Sequence, residues 1–236
     1  KLTIRHDGVM EIELTGPDQR FCTHDAGRTT WHAFSFGAHY DPTNVGFAQL
    51  VALNDEHLPT GNGYSPHPHS GIDIVTVVLE GALEHASDVG SGVITPGQVQ
   101  RLSAGSGVVH SEMNAAAGPT RFLQTWVRSA HPDRAPSYAA VDLGDGSGWT
   151  RAAGSADALL SLDADMDLWL APLAPGESLA LPDLPTMLLC VTTGTIVIDK
   201  DRLDAGGLAR IRGAGGVVVE ALTQSHLALW TSSQSV

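Results

Sequence analysis

Basic residues are scarce in this chain. Its 236 residues include 13 Lys and Arg against 26 Asp and Glu, which gives a formal net charge of −13. A surface with that balance repels a phosphate backbone, so we expect no direct nucleic-acid binding. The chain also has no run of about 18 apolar residues that could span a bilayer, and its N-terminal segment has no secretory-signal pattern. We therefore expect a cytoplasmic protein without membrane contact.

Cysteine and long helical patterns are also nearly absent. Cys22 and Cys190 lie far apart and outside any C-x-x-C arrangement, which predicts two reduced structural thiols rather than a disulfide framework. No long segment has a clean 3.6-residue apolar period. Short β-branched runs that end at Gly, Pro, Asp or Asn occur instead, and they predict an all-β sandwich or barrel. The predicted strands include residues 72–79, 93–94, 186–192, 195–198 and 216–220.

The chain contains a weak internal repeat. Residues 79–83 followed by 93–97 resemble residues 193–197 followed by 203–207, since both read as strand, glycine turn, strand, loop and glycine turn. Two copies of one β-barrel domain is the simplest interpretation. A segment rich in Pro, Gly, Ser and Asp lies between the copies. We therefore predict an N-terminal domain at 1–130, a connector at 131–154 and a C-terminal domain at 155–236.

Histidine is concentrated in the first half of the chain. Ten of the 11 histidines lie before residue 132, and only His226 lies after it. Histidine chemistry is therefore expected in the N-terminal domain. Seven of the ten have no partner at a ligand-like spacing and are not expected to bind a metal: His6, His24, His32, His39, His57, His85 and His131.

Two short segments carry a predicted metal site. Pro66 and Pro68 favour an extended backbone around them, so the side chains of His67 and His69 are expected on one face. The same two-residue period places His110 and Glu112 on one face of a second strand. Three imidazoles and one carboxylate leave positions open on a five- or six-coordinate metal. The set is typical of an oxygen-activating or Lewis-acid site rather than a closed structural zinc site.

These segments resemble the two cupin motifs, and their sequences are similar to those of the pirin family. The similar segments are Gly61 to Gly81 around HPHSG, Glu84-His85, QRLSAGSG at 100–107, and His110-Ser111-Glu112 with Asn114 after it. The resemblance implies a bicupin with two antiparallel β-barrels, that is, two double-stranded β-helix domains. It implies one divalent metal held by His67, His69, His110 and Glu112, with Fe(II) expected first and Mn, Ni, Co, Cu or Zn as alternatives. The C-terminal half has no H-x-H and is expected to be a degenerate cupin kept for packing.

The resemblance also implies an activity. Several pirin-like proteins open flavonols such as quercetin with dioxygen and release carbon monoxide, so a small aromatic substrate and O₂ are the expected partners. Glu112 is expected to be a weak fourth ligand and to accept the substrate proton, with the cation lowering its pKa. The alternative is a non-enzymatic, metal-dependent regulatory protein that binds a transcription factor or a metabolic enzyme. A sugar or nucleotide isomerase fits less well, because no Arg or Lys cluster adjoins the motifs.

Four apolar residues are candidates for the walls of a substrate pocket, with core packing as the alternative role for each: Phe34, Phe36, Phe47 and Met113.

Overall fold

The computed structural model describes residues 2–6, 10–155, 157–213 and 215–236. Within these ranges the chain is nearly all-β, with a 3₁₀ turn at Pro17–Gln19 and no α-helix. No helix in the described ranges is long and apolar enough to cross a membrane. The strands are β1 (Leu2–His6), β2 (Met10–Thr15), β3 (Phe21–Asp25), β4 (Arg28–His32), β5 (Leu50–Leu58), β6 (Gly63–His69), β7 (Ile72–Glu80), β8 (Leu83–Ser87), β9 (Gly90–Ile94), β10 (Gln98–Ser103), β11 (Val108–Asn114), β12 (Thr120–Arg128), β13 (Ser137–Asp142), β14 (Thr150–Gly154), β15 (Leu160–Ser161), β16 (Asp167–Leu173), β17 (Ser178–Ala180), β18 (Thr186–Thr193), β19 (Thr195–Ile198), β20 (Asp201–Asp204), β21 (Leu208–Arg212), β22 (Val218–Ala221) and β23 (Ser225–Ser232).

The chain forms two compact units. The first, here called the histidine barrel, comprises Phe21–Gly144 and Ala153–Ala164. It has a seven-stranded sheet in the order β13-β10-β7-β12-β5-β4-β3 and a four-stranded sheet in the order β6-β11-β8-β9. Val78 and Phe122 on the larger sheet pack with Leu83 and Ile94 on the smaller one. The two sheets therefore face each other across a buried apolar layer, which favours folding by roughly 1.5–3 kcal/mol for each large side chain that leaves water.

The second unit, here called the apolar barrel, comprises Lys1–Arg20, Asp145–Ala152 and Asp165–Val236. Its larger sheet contains the order β1-β2-β21-β18-β23-β16, and its smaller sheet has the order β17-β22-β19-β20. The core order β21-β18-β23-β16 repeats β10-β7-β12-β5, and the smaller sheet repeats β6-β11-β8-β9. This repetition confirms the predicted all-β bicupin.

A glycine turn marks the repeat in both units. Gly81 has φ 79° before β8, and Gly194 has φ 81° before β19. A Cβ at Gly81 would collide with Thr120, and one at Gly194 would collide with Ser225. Each glycine is therefore required both by its left-handed backbone and by the close approach of the neighbouring strand.

The observed units differ from the predicted domain boundaries in three places. Residues 157–164, predicted in the C-terminal domain, belong to the histidine barrel. Residues 1–20 belong to the apolar barrel rather than to the N-terminal domain, because β2 pairs antiparallel with β21. The predicted connector at 131–154 also contains ordered strands. Of these, β13 pairs antiparallel with β10, with Val99 opposite Val141. The turn-rich composition concealed these strands, since their pairing partners are distant in sequence.

Candidate metal centre

Two antiparallel strands of the histidine barrel carry the predicted metal ligands. His67 and His69 lie on β6, and His110 and Glu112 lie on β11. His110 pairs with His67, and the register then shifts so that Glu112 pairs with Tyr64. The extended backbone expected around Pro66 and Pro68 is present, and a β-bulge between the two pairs re-aims the side chains.

Three imidazoles converge between these strands. The ring centroid of His67 lies 4.9 Å from that of His69 and 4.4 Å from that of His110, and the His69 and His110 centroids are 5.0 Å apart. One ring nitrogen from each histidine lies within 4.8 Å of the others. Short spacing of this kind suits a single shared cation.

The ring nitrogens of this cluster fit a metal. The Nε2 atoms of His69 and His110 are buried and have no hydrogen-bond partner within the described residues. The Nδ1 of His67 lies 2.8 Å from the carbonyl oxygen of Ser65, so it donates a hydrogen there and leaves Nε2 as the lone-pair atom. Buried ring nitrogens that lie close together without a protein partner are expected to have a partner that the protein itself does not supply. A divalent metal supplies that partner.

Burial keeps His69 and His110 in the neutral form that binds metals. It lowers the pKa of His69 to about 4, and the neighbouring His67 adds to that effect. Burial likewise lowers the pKa of His110 to about 3, with smaller contributions from the adjacent histidines. Protons therefore compete weakly for these two ligands near neutral pH.

Glu112 is buried beside the imidazoles. Its carboxylate forms a second cluster with His85 and His110, in which the three ligand atoms lie within 4.8 Å of one another. Both carboxylate oxygens accept a hydrogen bond from the Gln124 amide at 2.9 Å. Gln124 is itself oriented by Trp126, whose indole donates to Oε1 at 3.1 Å. Burial raises the pKa of Glu112 to about 7, whereas a cation beside it would act in the opposite direction.

His85 is a residue of the centre that its sequence spacing did not reveal. It is fully buried, and its Nδ1 lies 3.3 Å from the Nδ1 of His110. Its ring stacks on Tyr138 with centroids 4.5 Å apart and planes 3° apart. The available signal was its place two residues after the buried Leu83 on β8, which puts both side chains on the inner face.

A cavity of about 380 Å³ opens onto the histidines. His67, His69 and Glu112 line it, and Phe36 and Trp126 supply aromatic wall. Of the four predicted wall residues, Phe36 alone lines this cavity. Phe34 and Phe47 are instead buried, with 1% and 5% of their surface exposed, and Met113 follows Glu112 on β11 and so faces the other side of the strand.

A second buried carboxylate lines the same cavity and was also missed from the sequence. Oε2 of Glu56 accepts hydrogen bonds from the Thr30 hydroxyl at 2.6 Å and the Tyr64 hydroxyl at 2.7 Å. Burial raises the pKa of Glu56. The Arg28 guanidinium lies 4.4 Å from the Tyr64 ring centroid and donates to Asp25 and the Gly63 carbonyl. This arginine is therefore already occupied, which argues against a phosphate site.

Known proteins of similar sequence have related names. A family model described as Pirin matches residues 17–127. A Mycobacterium tuberculosis protein provisionally named quercetin 2,3-dioxygenase is 38% identical over 229 residues, covering 93% of this chain and 94% of that protein. A quercetin 2,3-dioxygenase of Escherichia coli is 35% identical over 144 residues, covering 59% of this chain and 62% of that protein.

A solved structure has the same architecture and contains a metal. The Escherichia coli bacterial pirin YhhW, crystallised in complex with nickel(II), superposes with a TM-score of 0.87 at 26% sequence identity. The match covers 93% of this chain and 98% of that one. A nickel-bound relative and the histidine cluster together support a divalent-metal site, without specifying which metal occupies it.

Proposed function

Since this chain belongs to the pirin family, we propose that it is a metal-dependent dioxygenase that opens flavonols such as quercetin with dioxygen and releases carbon monoxide. One observation carries the proposal. Three imidazoles converge beside a cavity that His67 and His69 line, and His69 and His110 have buried Nε2 atoms without a protein partner among the described residues. The names of the similar proteins from Mycobacterium tuberculosis and Escherichia coli support the same activity.

The proposed ligands are His67, His69, His110 and Glu112, and the proposed metal is Fe(II), with Mn, Ni, Co, Cu or Zn as alternatives. When bound, the metal would supply a Lewis acid for a deprotonated phenol and a centre for dioxygen chemistry. The neutral imidazoles match this role, because they bind the cation and leave part of its surface open to the cavity.

Glu112 is proposed to accept the proton of the substrate hydroxyl. Its carboxylate lies at the wall of the cavity, and the Gln124 amide holds both oxygens in place. A positioned carboxylate can take a proton at short range without first having to reorient. Gln124 is thus a positioning residue for this step.

The cavity suits a flat, hydroxylated aromatic molecule. Its volume of about 380 Å³ lies within the range of roughly 300–1,000 Å³ typical of small-molecule sites. Phe36 and Trp126 offer ring faces, and Glu56 offers a carboxylate acceptor for a second hydroxyl. The cavity should therefore prefer a phenol with two hydroxyl groups, one donating a hydrogen bond to Glu112 and the other to Glu56.

Oxygen uptake with quercetin tests this function. Metal-replete protein is expected to consume O₂ and release carbon monoxide faster than an equal concentration of free metal, and the rate should fall when metal is removed by a chelator. A rate no faster than free metal would favour the regulatory alternative. The cytoplasmic location and a protein partner stay predictions from the sequence.

A further inference from the structure

We propose that His85 is a positioning residue that fixes the tautomer of His110, so that the Nε2 lone pair of His110 is aimed at the metal. The proposal rests on the metal-binding part of the proposed function and does not depend on the flavonol reaction. His85 lies on β8 next to β11, where Ser87 pairs with His110 and His85 pairs with Glu112. The His85 ring lies beside that of His110, with the two centroids 5.2 Å apart.

Hydrogen bonds determine which ring nitrogen carries the hydrogen in His85 and in His110. The Ser87 hydroxyl donates to the carbonyl oxygen of Gly90 at 2.8 Å. With its hydrogen used there, Ser87 accepts from the Nε2 of His85 at 3.1 Å. A neutral His85 that is protonated on Nε2 has its lone pair on Nδ1. That atom lies 3.3 Å from the Nδ1 of His110, which must therefore carry the hydrogen.

The opposite end of His110 agrees with this assignment. Its Nε2 is buried without a hydrogen-bond partner in the described part of the chain. A hydrogen on that nitrogen would be a buried, unsatisfied donor, which is unfavourable. With the hydrogen on Nδ1, the Nε2 lone pair is instead available to a cation shared with the ring nitrogens of His67 and His69. Both ends of the imidazole thus favour one tautomer.

Packing holds the orienting ring in place. Tyr138 stacks on His85 with nearly parallel planes, and its hydroxyl donates to Gln100 at 3.0 Å. The corresponding position in the apolar barrel is Ile198, which is also fully buried: each lies four residues after its turn glycine, Gly81 or Gly194. An apolar residue therefore fits this place in the fold. An imidazole there costs desolvation, and its contact with His110 accounts for it.

Nitrogen NMR of histidine-labelled protein tests the assignment directly. In metal-free wild-type protein, we expect His110 to be protonated on Nδ1 and His85 on Nε2. His85→Leu should leave His110 as a mixture of tautomers, and Ser87→Ala should produce a smaller shift of the same kind. His85→Gln, which keeps an acceptor and a donor, should restore most of the wild-type pattern.

Zinc affinity provides the second readout, because zinc is redox-inert and needs no substrate. Competition with a chelator should show a loss of roughly 10–100-fold for His85→Leu, which is typical of removing the partner of a metal-bound histidine. Ile198→Leu, the matched change in the apolar barrel, should leave the affinity unchanged. Circular dichroism checks that each variant is folded. If His85→Leu does not fold, Ser87→Ala replaces it in the affinity measurement.

Three results would overturn the proposal. The first is a wild-type His110 protonated on Nε2 in the metal-free protein. The second is a zinc affinity in folded His85→Leu within threefold of wild type. The third is a wild-type protein that binds no zinc, which would also contradict the metal part of the proposed function. A protein that binds zinc and shows the expected tautomers but does not turn over quercetin would contradict the dioxygenase function alone.

Discussion

The histidine barrel and the apolar barrel share a strand order but differ in what fills the space between their sheets. In the first, the inner face of the small sheet carries His67, His69, His110 and Glu112. In the second, the interior is a continuous apolar cluster: Ile12, Leu14, Ala171, Leu173, Leu181, Met187, Leu189, Val191, Ile196, Ile198, Leu203, Ala209, Ile211, Val217, Val219, Ala221, Leu227 and Leu229. The architecture therefore does not need a polar centre.

Strand register shows which residues correspond. Asn114 pairs with Leu83, two residues after the turn at Gly81. Ala221 pairs with Ile196, which stands in the same relation to Gly194. Counting back from these pairs aligns Glu112 with Val219 and His110 with Val217.

The aligned positions separate function from folding. Both valines are buried in the core of the apolar barrel, with 0% of Val219 and 5% of Val217 exposed. The polar residues at the same positions of the histidine barrel are thus explained by chemistry rather than by packing. A site placed on a shared fold is the general pattern for proteins of this kind.

Removing one imidazole should have the largest effect. We expect His110→Ala to weaken metal binding by more than the roughly 10–100-fold lost with an outer-shell partner, because a direct ligand is removed. The fold should persist, since apolar burial holds each barrel together. The matched change Val217→Ala should leave the metal affinity as in wild type. Chelator competition and circular dichroism measure the two properties, and global unfolding of His110→Ala would indicate a structural metal.

Glu112→Gln keeps the shape of the side chain and removes its basicity. We expect metal to be retained at reduced affinity, and quercetin-dependent oxygen uptake to fall by roughly 10²-fold or more, as is typical for loss of a general base. Glu220→Gln, a change at an exposed residue beside Val219, is the control and should have no effect. Near-normal turnover in Glu112→Gln with full metal would show that the carboxylate is not the proton acceptor.

The opposite contrast is expected in the apolar barrel. Ile198 is fully buried within its core, so Ile198→Ala should lower the free energy of unfolding by roughly 2–5 kcal/mol. Metal content should not change, because no proposed ligand lies in that unit. Denaturant unfolding combined with elemental analysis measures both properties. Loss of metal without loss of stability would contradict the division of roles between the barrels.

The pH dependence of stability gives the smallest contrast. In the folded, metal-free protein, burial lowers the pKa of His69 and of His85 to about 4 and that of His110 to about 3, below the ordinary value of 6.5. Between pH 6.5 and about 4 the unfolded chain therefore binds more protons at these residues, and their contribution to stability is lost as the pH falls. Two buried carboxyls oppose this: burial raises the pKa of Glu112 to about 7 and also raises that of Glu56, so that in the folded protein they hold protons that the unfolded chain has released above pH 4.5. They are two groups against three.

Thermal unfolding at several pH values measures that balance. The unfolding temperature of the metal-free protein should fall on acidification from pH 6.5 to 4.5, and it should fall less steeply in His85→Leu, which lacks one of the three imidazoles. An equal slope in the two proteins would mean that His85 is not buried in its neutral form.

The candidate ligands that lie close together on one strand could be predicted from the sequence. The two-residue period of extended chain predicted the faces of His67 with His69 and of His110 with Glu112, and the glycine turns predicted the repeated barrel. Glu56 and His85 were missed because their partners come from other strands. Strand pairing brings Thr30 to Glu56 and β11 with His110 to His85, and Tyr64 reaches Glu56 from the opposite sheet. The pairing of β2 with β21 was hidden for the same reason. Such contacts depend on which distant strands lie together and in what register. A single sequence does not show this when the residues have no characteristic spacing.

Elemental analysis of the protein purified without added metal tests the central claim most directly. We expect one divalent metal per chain in the wild type, with iron as the main element, and almost none in a His67→Ala/His110→Ala double variant that remains folded. Val217→Ala should keep the wild-type content. A wild type without metal, or a folded double variant that keeps one equivalent, would contradict the assignment of a single metal centre to the histidine barrel.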